Sequence, residues 1–92
     1  MESIIQKDME KCFLCGGRAS EEHHPFFGSK RKWCVKYGLS FGLCHICHRG
    51  DSGVHGRDGH EKDMFLKQIA QERFEEEYSH EEFMKVFGKN YL

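Results

Sequence analysis

Two Cys-x-x-Cys pairs, Cys12/Cys15 and Cys44/Cys47, stand 28 residues apart in a chain of 92. No other feature limits the fold as tightly. Four thiolates that share one tetrahedral ion pull both ends of residues 12–47 to a single point. The intervening stretch exceeds the usual zinc-finger spacing, and a hairpin inserted between the pairs accounts for it. A chain this short buries a modest fraction of its surface and often needs a metal or disulfide staple. Hydrophobic residues make up 38% and charged residues 32%, so core material is scarce and an ion is expected to contribute to folding. The cysteine count is five, and an odd number argues against a disulfide framework. In a reducing compartment the two pairs read as structural zinc ligands, with a rubredoxin-like iron site as the alternative. Cys34 is left over and reads as a small buried hydrophobe. No apolar run reaches membrane-spanning length and no signal-peptide core is present. The expectation is a soluble, cytoplasmic protein with no membrane partner.

Along the chain, Ser3 to Gln6 is a short apolar patch, expected as a strand that covers one side of the fold. Cys12-Phe-Leu-Cys15-Gly16-Gly17 is a first knuckle, in which glycines permit a tight turn with amides aimed at sulfur. Glu21 to Phe27 is expected as one hairpin strand, Gly28 to Lys32 as a basic loop, and Trp33 to Phe41 as the returning strand with a turn near Tyr37-Gly38. Leu43 to Cys47 forms the second knuckle. Gly50 to Gly59 holds four glycines and reads as a loop. From Glu61 to Tyr78 the pattern is helical, with Phe65, Leu66, Ile69, Ala70, Phe74 and Tyr78 on one stripe. Glu72, Glu75, Glu76 and Glu77 form a solvated face. Ser79 and Glu82 match a capping box, and a second helix runs to Phe87 with Gly88 as its stop. Phe83, Val86 and Phe87 pack it onto the first. The expected fold is a small α+β zinc-stapled domain with two zinc knuckles, a β-hairpin and C-terminal helices. It spans 1–92, with a zinc core over 12–59 and a helical extension over 60–92.

Seven histidines are an excess for this length. His23 and His24 are adjacent, and on a strand they point to opposite sides. One can bind an ion while the other addresses a different atom. His48 follows Cys47 directly, and His55 lies seven residues further on. A cage that draws Cys47 to the hairpin also draws His48 to His23 and His24, and so acts as the scaffold of the cluster. His45 is a candidate substitute for a cage cysteine. His60 and His80 fall at helix starts and read as solvated. The formal charge is only −1, but residues 23–60 carry six basic and two acidic side chains while both flanks are acidic. The positive segment is the one that holds the histidines, where a polyanion needs it. Lys30, Arg31, Lys32, Lys36, Arg49 and Arg57 are the candidate phosphate contacts. No base-reading helix is evident, so little sequence specificity is expected. Trp33 reads as core rather than as a base-stacking residue.

These residues together resemble the HNH nucleases of the ββα-metal (His-Me finger) group. Glu22-His23-His24-Pro25 looks like their first motif, a metal ligand followed by the general-base histidine. Leu43-Cys44-His45-Ile46-Cys47-His48-Arg49 followed by Val54-His55 looks like their second half. The chain is also similar to small phage-encoded HNH-like proteins of unestablished role, through Ser3 to Gln6, Glu21 to His24, Lys36 to Leu39, Gly53 to His55 and Phe87 to Leu92. In HNH nucleases the middle residue is often Asn, where this chain has His48. In several relatives the last two residues share a helix, whereas here a loop separates His48 from His55.

The resemblance implies a ββα-metal, treble-clef-like core and a DNA endonuclease acting in a bacterial host cell. His24 would serve as base, held by a hydrogen bond at its other ring nitrogen. His23, His48 and His55 would hold one catalytic divalent ion (Mn²⁺, Ni²⁺, Zn²⁺ or Mg²⁺), and products would carry 5′-phosphate and 3′-hydroxyl ends. The competing class is a non-catalytic zinc module that binds nucleic acid or protein. A third is an accessory of a phage DNA-processing complex, with the acidic helices as partner or homodimer surface.

Overall fold

A computed structural model describes residues 3–92. In chain order these form strand β1 (Glu21–His23), a 3-10 turn (Gly28–Lys30), helix α1 (Arg31–Tyr37), strand β2 (Phe41–Leu43), and helices α2 (His45–Arg49), α3 (His60–Glu77) and α4 (His80–Phe87). The strands pair antiparallel, with Glu21 opposite Leu43, Glu22 opposite Gly42 and His23 opposite Phe41. This small α+β architecture matches the expected class.

The hairpin is shorter than expected, and its two strands are joined through a helix. β1 stops at His23 rather than Phe27, because buried Pro25 has no N–H to offer a ladder. The segment expected as the returning strand, Trp33 to Phe41, is α1 over most of its length. Its apolar residues also satisfy a helical face. Cys34 is fully buried, Trp33 and Tyr37 pack against the core, and Lys32 and Lys36 stay in solvent. Gly38 ends the helix at φ 72°. Its N–H reaches Val35 O, and the Leu39 N–H reaches Cys34 O at 2.9 Å. This pair of bonds is a Schellman stop, a signal for helix that outweighs the local alternation of apolar residues. The chain does turn at Tyr37-Gly38, and only Phe41 to Leu43 returns to pair.

Ser3 to Gln6 is not a strand. Ser3 Oγ accepts from the N–H groups of Ile5 and Gln6 and donates to Ser40 O, folding the segment into a turn that covers the sheet side. Gln6 is buried and acts as a brace: its Nε2 donates to Asp8 O and Lys11 O, and its Oε1 accepts from Gly42 N at 2.7 Å. The N-terminal segment passes so close to β2 that a Cβ on Gly42 would lie 2.4 Å from Met9 O, a contact only glycine permits.

Helices α3 and α4 pack on each other and supply the C-terminal part of the core. Leu66, Ala70 and Phe74 are buried, but Phe65 and Tyr78, expected on the same stripe, are each 51% exposed. Gln71 takes an inward position instead, donating to Asn90 Oδ1 at 2.7 Å and accepting from Tyr91 N at 2.8 Å. It thereby holds the end of the chain against α3. Glu72, Glu76 and Glu77 are solvated, as expected, whereas Glu75 is half-buried and accepts from Gln71 Nε2 at 2.8 Å. Ser79 Oγ accepts from Glu82 N at 3.0 Å, and Gly88 closes α4 at φ 74°. Phe83 and Phe87 meet Phe26 and Phe74 with ring centroids 4.6–5.8 Å apart. Among the described residues no helix is long and apolar enough to cross a membrane.

Candidate metal centres

The knuckle at Cys12 is a tight reversal. Cys12 N donates to Gly17 O, Gly16 N to Cys12 O, and Gly16 adopts φ 79°. The second pair belongs to α2: Cys44 is the residue before the helix and its Sγ accepts from Cys47 N. The pairing of Phe13 N with Gly42 O at 2.8 Å docks the first knuckle on β2, two residues before the second pair begins at Cys44. All four Sγ atoms lie within 4.8 Å of one another, and those of Cys15 and Cys44 are 3.7 Å apart. Thiolates at zinc's bonding distance in a tetrahedron sit about 3.8 Å apart, so the donor set fits zinc.

Thiol acidity is divided within the cage. Burial acts to raise Cys12, but hydrogen bonds at the backbone of Cys15, Cys44 and Leu14 outweigh it and bring the group down to about 6. Cys47 is pushed up by burial and by the three neighbouring thiols. Cys15 gains from the Gly17 amide yet is held above the usual range by Cys12 and Cys44. Four sulfurs this close cannot all ionise without a cation among them. Cys34 stands apart, fully buried with its Sγ 3.4 Å from Phe26 O, and burial raises it to about 11. His45 is exposed and outside the cage, 3.0 Å from Glu21 Oε2.

The second centre is built on the next residue along. Neighbours on a helix point about 100° apart, so Cys47 faces the cage while His48 faces β1. His23 Nδ1 lies 3.2 Å from His48 Nε2. His55 completes the group, its ring centroid 4.8 Å from that of His48 and 5.1 Å from that of His23. One nitrogen from each ring falls within 4.8 Å of the others. Burial, then the charges of His48 and His55, hold His23 down to about 3, and burial also lowers His55. Neutral imidazoles are the protonation state that ligates. His23 Nδ1 and His48 Nε2, the nitrogens that face each other, are the pair placed to share an ion, while among the described residues His23 Nε2 is buried with no hydrogen-bond partner.

The loop between His48 and His55 is what brings them together. Gly50, Gly53, Gly56 and Gly59 recur at every third position, and each of the last three donates its N–H to the carbonyl of the one before. Val54 N reaches Cys47 O, and His55 N reaches His48 O at 2.9 Å. A Cβ on Gly56 would lie 1.9 Å from Gly50 O, and one on Gly59 would lie 1.7 Å from Gly53 O. The coil is therefore compact enough only for glycine. It cancels the seven-residue separation that distinguishes this pair of histidines.

Glu21 is the functional residue that spacing alone does not single out. Its carboxylate accepts from His48 Nδ1 at 2.5 Å, and Arg49 Nε is 3.3 Å away. Hydrogen bonds from His45 and His48 lower it to about 2. The available signal is its position two residues before His23, which puts both side chains on one strand face. A carboxylate that orients a ligating imidazole typically contributes a factor of 10–100 in metal affinity. Glu21→Ala is therefore expected to weaken ion binding at the histidine centre by roughly 10- to 100-fold, measured by titration calorimetry, while zinc in the cysteine cage is retained.

A cleft of about 200 Å³ opens over the histidines, lined by Glu22, His23, His24, Phe27, Arg31, His48, Arg49 and His55. His24 thus shares the cleft but is not one of the three convergent rings. Burial lowers it, partly opposed by Glu22. The orienting hydrogen bond expected for its ring is absent among the described residues. Glu22 Oε1 is 3.5 Å from His24 Nε2, and that nitrogen is buried without a hydrogen bond. Of the six expected phosphate contacts, Arg31 and Arg49 line this cleft. Lys30 instead donates to Val86 O at 3.0 Å, Lys32 and Lys36 flank the Trp33 ring, and Arg57 pairs with Asp58 on the coil. Trp33 is packed partly against the core, as expected.

No protein family, curated protein or solved structure matches the chain.

Proposed function

We propose that the protein is a metal-dependent endonuclease of the HNH type that hydrolyses DNA phosphodiester bonds, with a structural zinc in the cysteine cage. The observation that carries this reading is the convergence of three imidazoles on a cleft that also holds a fourth, His24, and two arginines. The order β1, β2 and α2, with ligand candidates on β1 and α2, is what a ββα-metal core requires. Here α1 is inserted between the two strands.

Arg31 and Arg49 bind the phosphate that enters the cleft; guanidinium groups suit its paired oxygens. His24, kept neutral by burial, accepts the proton of a water directed at phosphorus. Glu21 keeps His48 in one tautomer and orientation. Held by His23, His48 and His55, a divalent ion would supply Lewis-acid stabilisation of charge on the phosphoryl and leaving 3′ oxygens. A set of imidazole donors suits Mn²⁺, Ni²⁺ or Zn²⁺ better than Mg²⁺, which prefers oxygen.

The test is incubation of zinc-loaded protein with supercoiled plasmid in Mn²⁺, Ni²⁺, Mg²⁺ or chelator, with metal content measured in parallel. Nicking in Mn²⁺ or Ni²⁺, slower in Mg²⁺ and absent in chelator, is expected together with a second bound ion per chain. Equal or faster cutting in Mg²⁺ counts against the three-histidine ligand set. A folded protein that holds one zinc, takes no second ion and cuts nothing is instead a non-catalytic zinc module.

A further inference from the structure

Beside the histidine cleft lies a second cavity that this chemistry leaves unused. It measures about 120 Å³ and is lined by Phe26, Phe27, Lys30, Lys67, Phe87 and Tyr91. Phe27 is the wall it shares with the cleft. The Phe27 ring is 47% exposed and stands edge-on to His55 with centroids 5.2 Å apart. On the cavity side, Lys67 Nζ lies 4.5 Å from the Phe27 centroid and 5.9 Å from that of Tyr91. The rings of Phe26 and Tyr91 are tilted 42° to each other with centroids 5.2 Å apart. Both ammonium groups are tethered, Lys67 to Asp63 and Lys30 to Val86 O, so they are fixed features of the cavity.

We infer that this cavity receives one unstacked base from a single-stranded stretch of the nucleic acid whose phosphate occupies the cleft, an inference that rests on the nuclease reading above. Size is the first argument. Sites for drug-sized ligands run to roughly 300 Å³ or more, whereas this one suits a single planar ring. Chemistry is the second. A base offers a π-face to the aromatic rings and carbonyl oxygens to the ammonium groups; a purely apolar guest has no use for two lysines, and a bare anion has none for four aromatic rings. Continuity is the third. Phe27 separates the cavity from the arginine-lined cleft by one ring, so a base and a phosphate of one strand can occupy the two sides. In a duplex both faces of each base are already stacked, so the guest must come from an unpaired or extruded nucleotide.

Fluorescence anisotropy with zinc-loaded protein and no added second ion tests this without cleavage. The probes are a short labelled oligothymidylate, the same strand with abasic positions, and a duplex of equal length at equal salt. The oligothymidylate is expected to bind on the order of tenfold more tightly than the abasic strand or the duplex. Phe27→Ala and Tyr91→Ala are each expected to reduce oligothymidylate binding to near the abasic level, while Phe27→Trp retains it. Zinc content and circular dichroism verify that each variant is folded. Equal affinity for the oligothymidylate and abasic strands, preference for the duplex, no binding of any probe, or wild-type binding by both alanine variants overturns the assignment. Base-dependent binding by a protein that never cuts plasmid overturns the nuclease reading and leaves the cavity's role standing. Cutting without base dependence does the reverse.

Discussion

Cys44→Ser is expected to leave the domain unfolded at room temperature, with no zinc bound and no cooperative thermal transition by circular dichroism. Cys44 follows β2, precedes α2 and brings its sulfur to 3.7 Å from that of Cys15. Serine could still cap the short helix, so the loss isolates the ligand role. Structural zinc supplies about 10–16 kcal/mol of apparent binding free energy in zinc-finger peptides, while a whole domain is stable by only about 5–15 kcal/mol. Little else is available to hold this region. β1 and β2 are three residues each, and α2 is five. Elements this short do not persist without tertiary support. A strong chelator added to the wild-type protein should give the same result and be reversed by added zinc. A variant that keeps a cooperative melt without zinc would show that the aromatic core formed by α3 and α4 suffices.

The two Cys-x-x-Cys knuckles and the C-terminal helices are legible in the sequence because each depends on short-range rules. Cys-x-x-Cys spacing sets two sulfurs on one side of a turn. Ser79, Glu82 and Gly88 mark α4 at both ends, and the apolar spacing of Leu66, Ala70 and Phe74 marks α3. Where two local rules competed, the pattern misled. Residues 33–41 alternate well enough for a strand, but Gly38 stops a helix there and Pro25 denies β1 the length to pair with them. Phe65 sits one position off the inward face, which Gln71 enters because Asn90 and Tyr91 satisfy its amide.

What depends on distant backbone is legible only afterwards. His55 reaches His48 through a glycine coil whose three-residue period is visible in the sequence, yet its meaning rests on hydrogen bonds across seven residues. Glu21 is one of many glutamates until the Glu21–Leu43 pairing puts it beside α2. Lys30 looks like its basic neighbours until α4 supplies Val86 O.

His24→Ala should separate the two kinds of histidine in the cleft. His24 is close to the three convergent rings but outside their ligand group. Its loss is therefore expected to leave both metal centres loaded and the fold intact, because the ring makes no hydrogen bond among the described residues that other parts depend on. Plasmid nicking should fall by about 10²- to 10⁴-fold, the usual contribution of a positioned general base. His48→Ala should behave differently. It removes a ring buried between His23, His55 and Glu21, so the second ion should be lost together with the cutting, while the adjacent Cys47 keeps the cage closed. The pair of variants is read by metal content and rate together. Lost cutting with two ions retained in His24→Ala, and lost cutting with one ion retained in His48→Ala, assigns proton transfer to the first and ion binding to the second. If His24→Ala cuts within a few-fold of wild type, His24 is not the base, and among the described residues the three ligand candidates and Glu22 are the only other titratable acceptors lining the cleft.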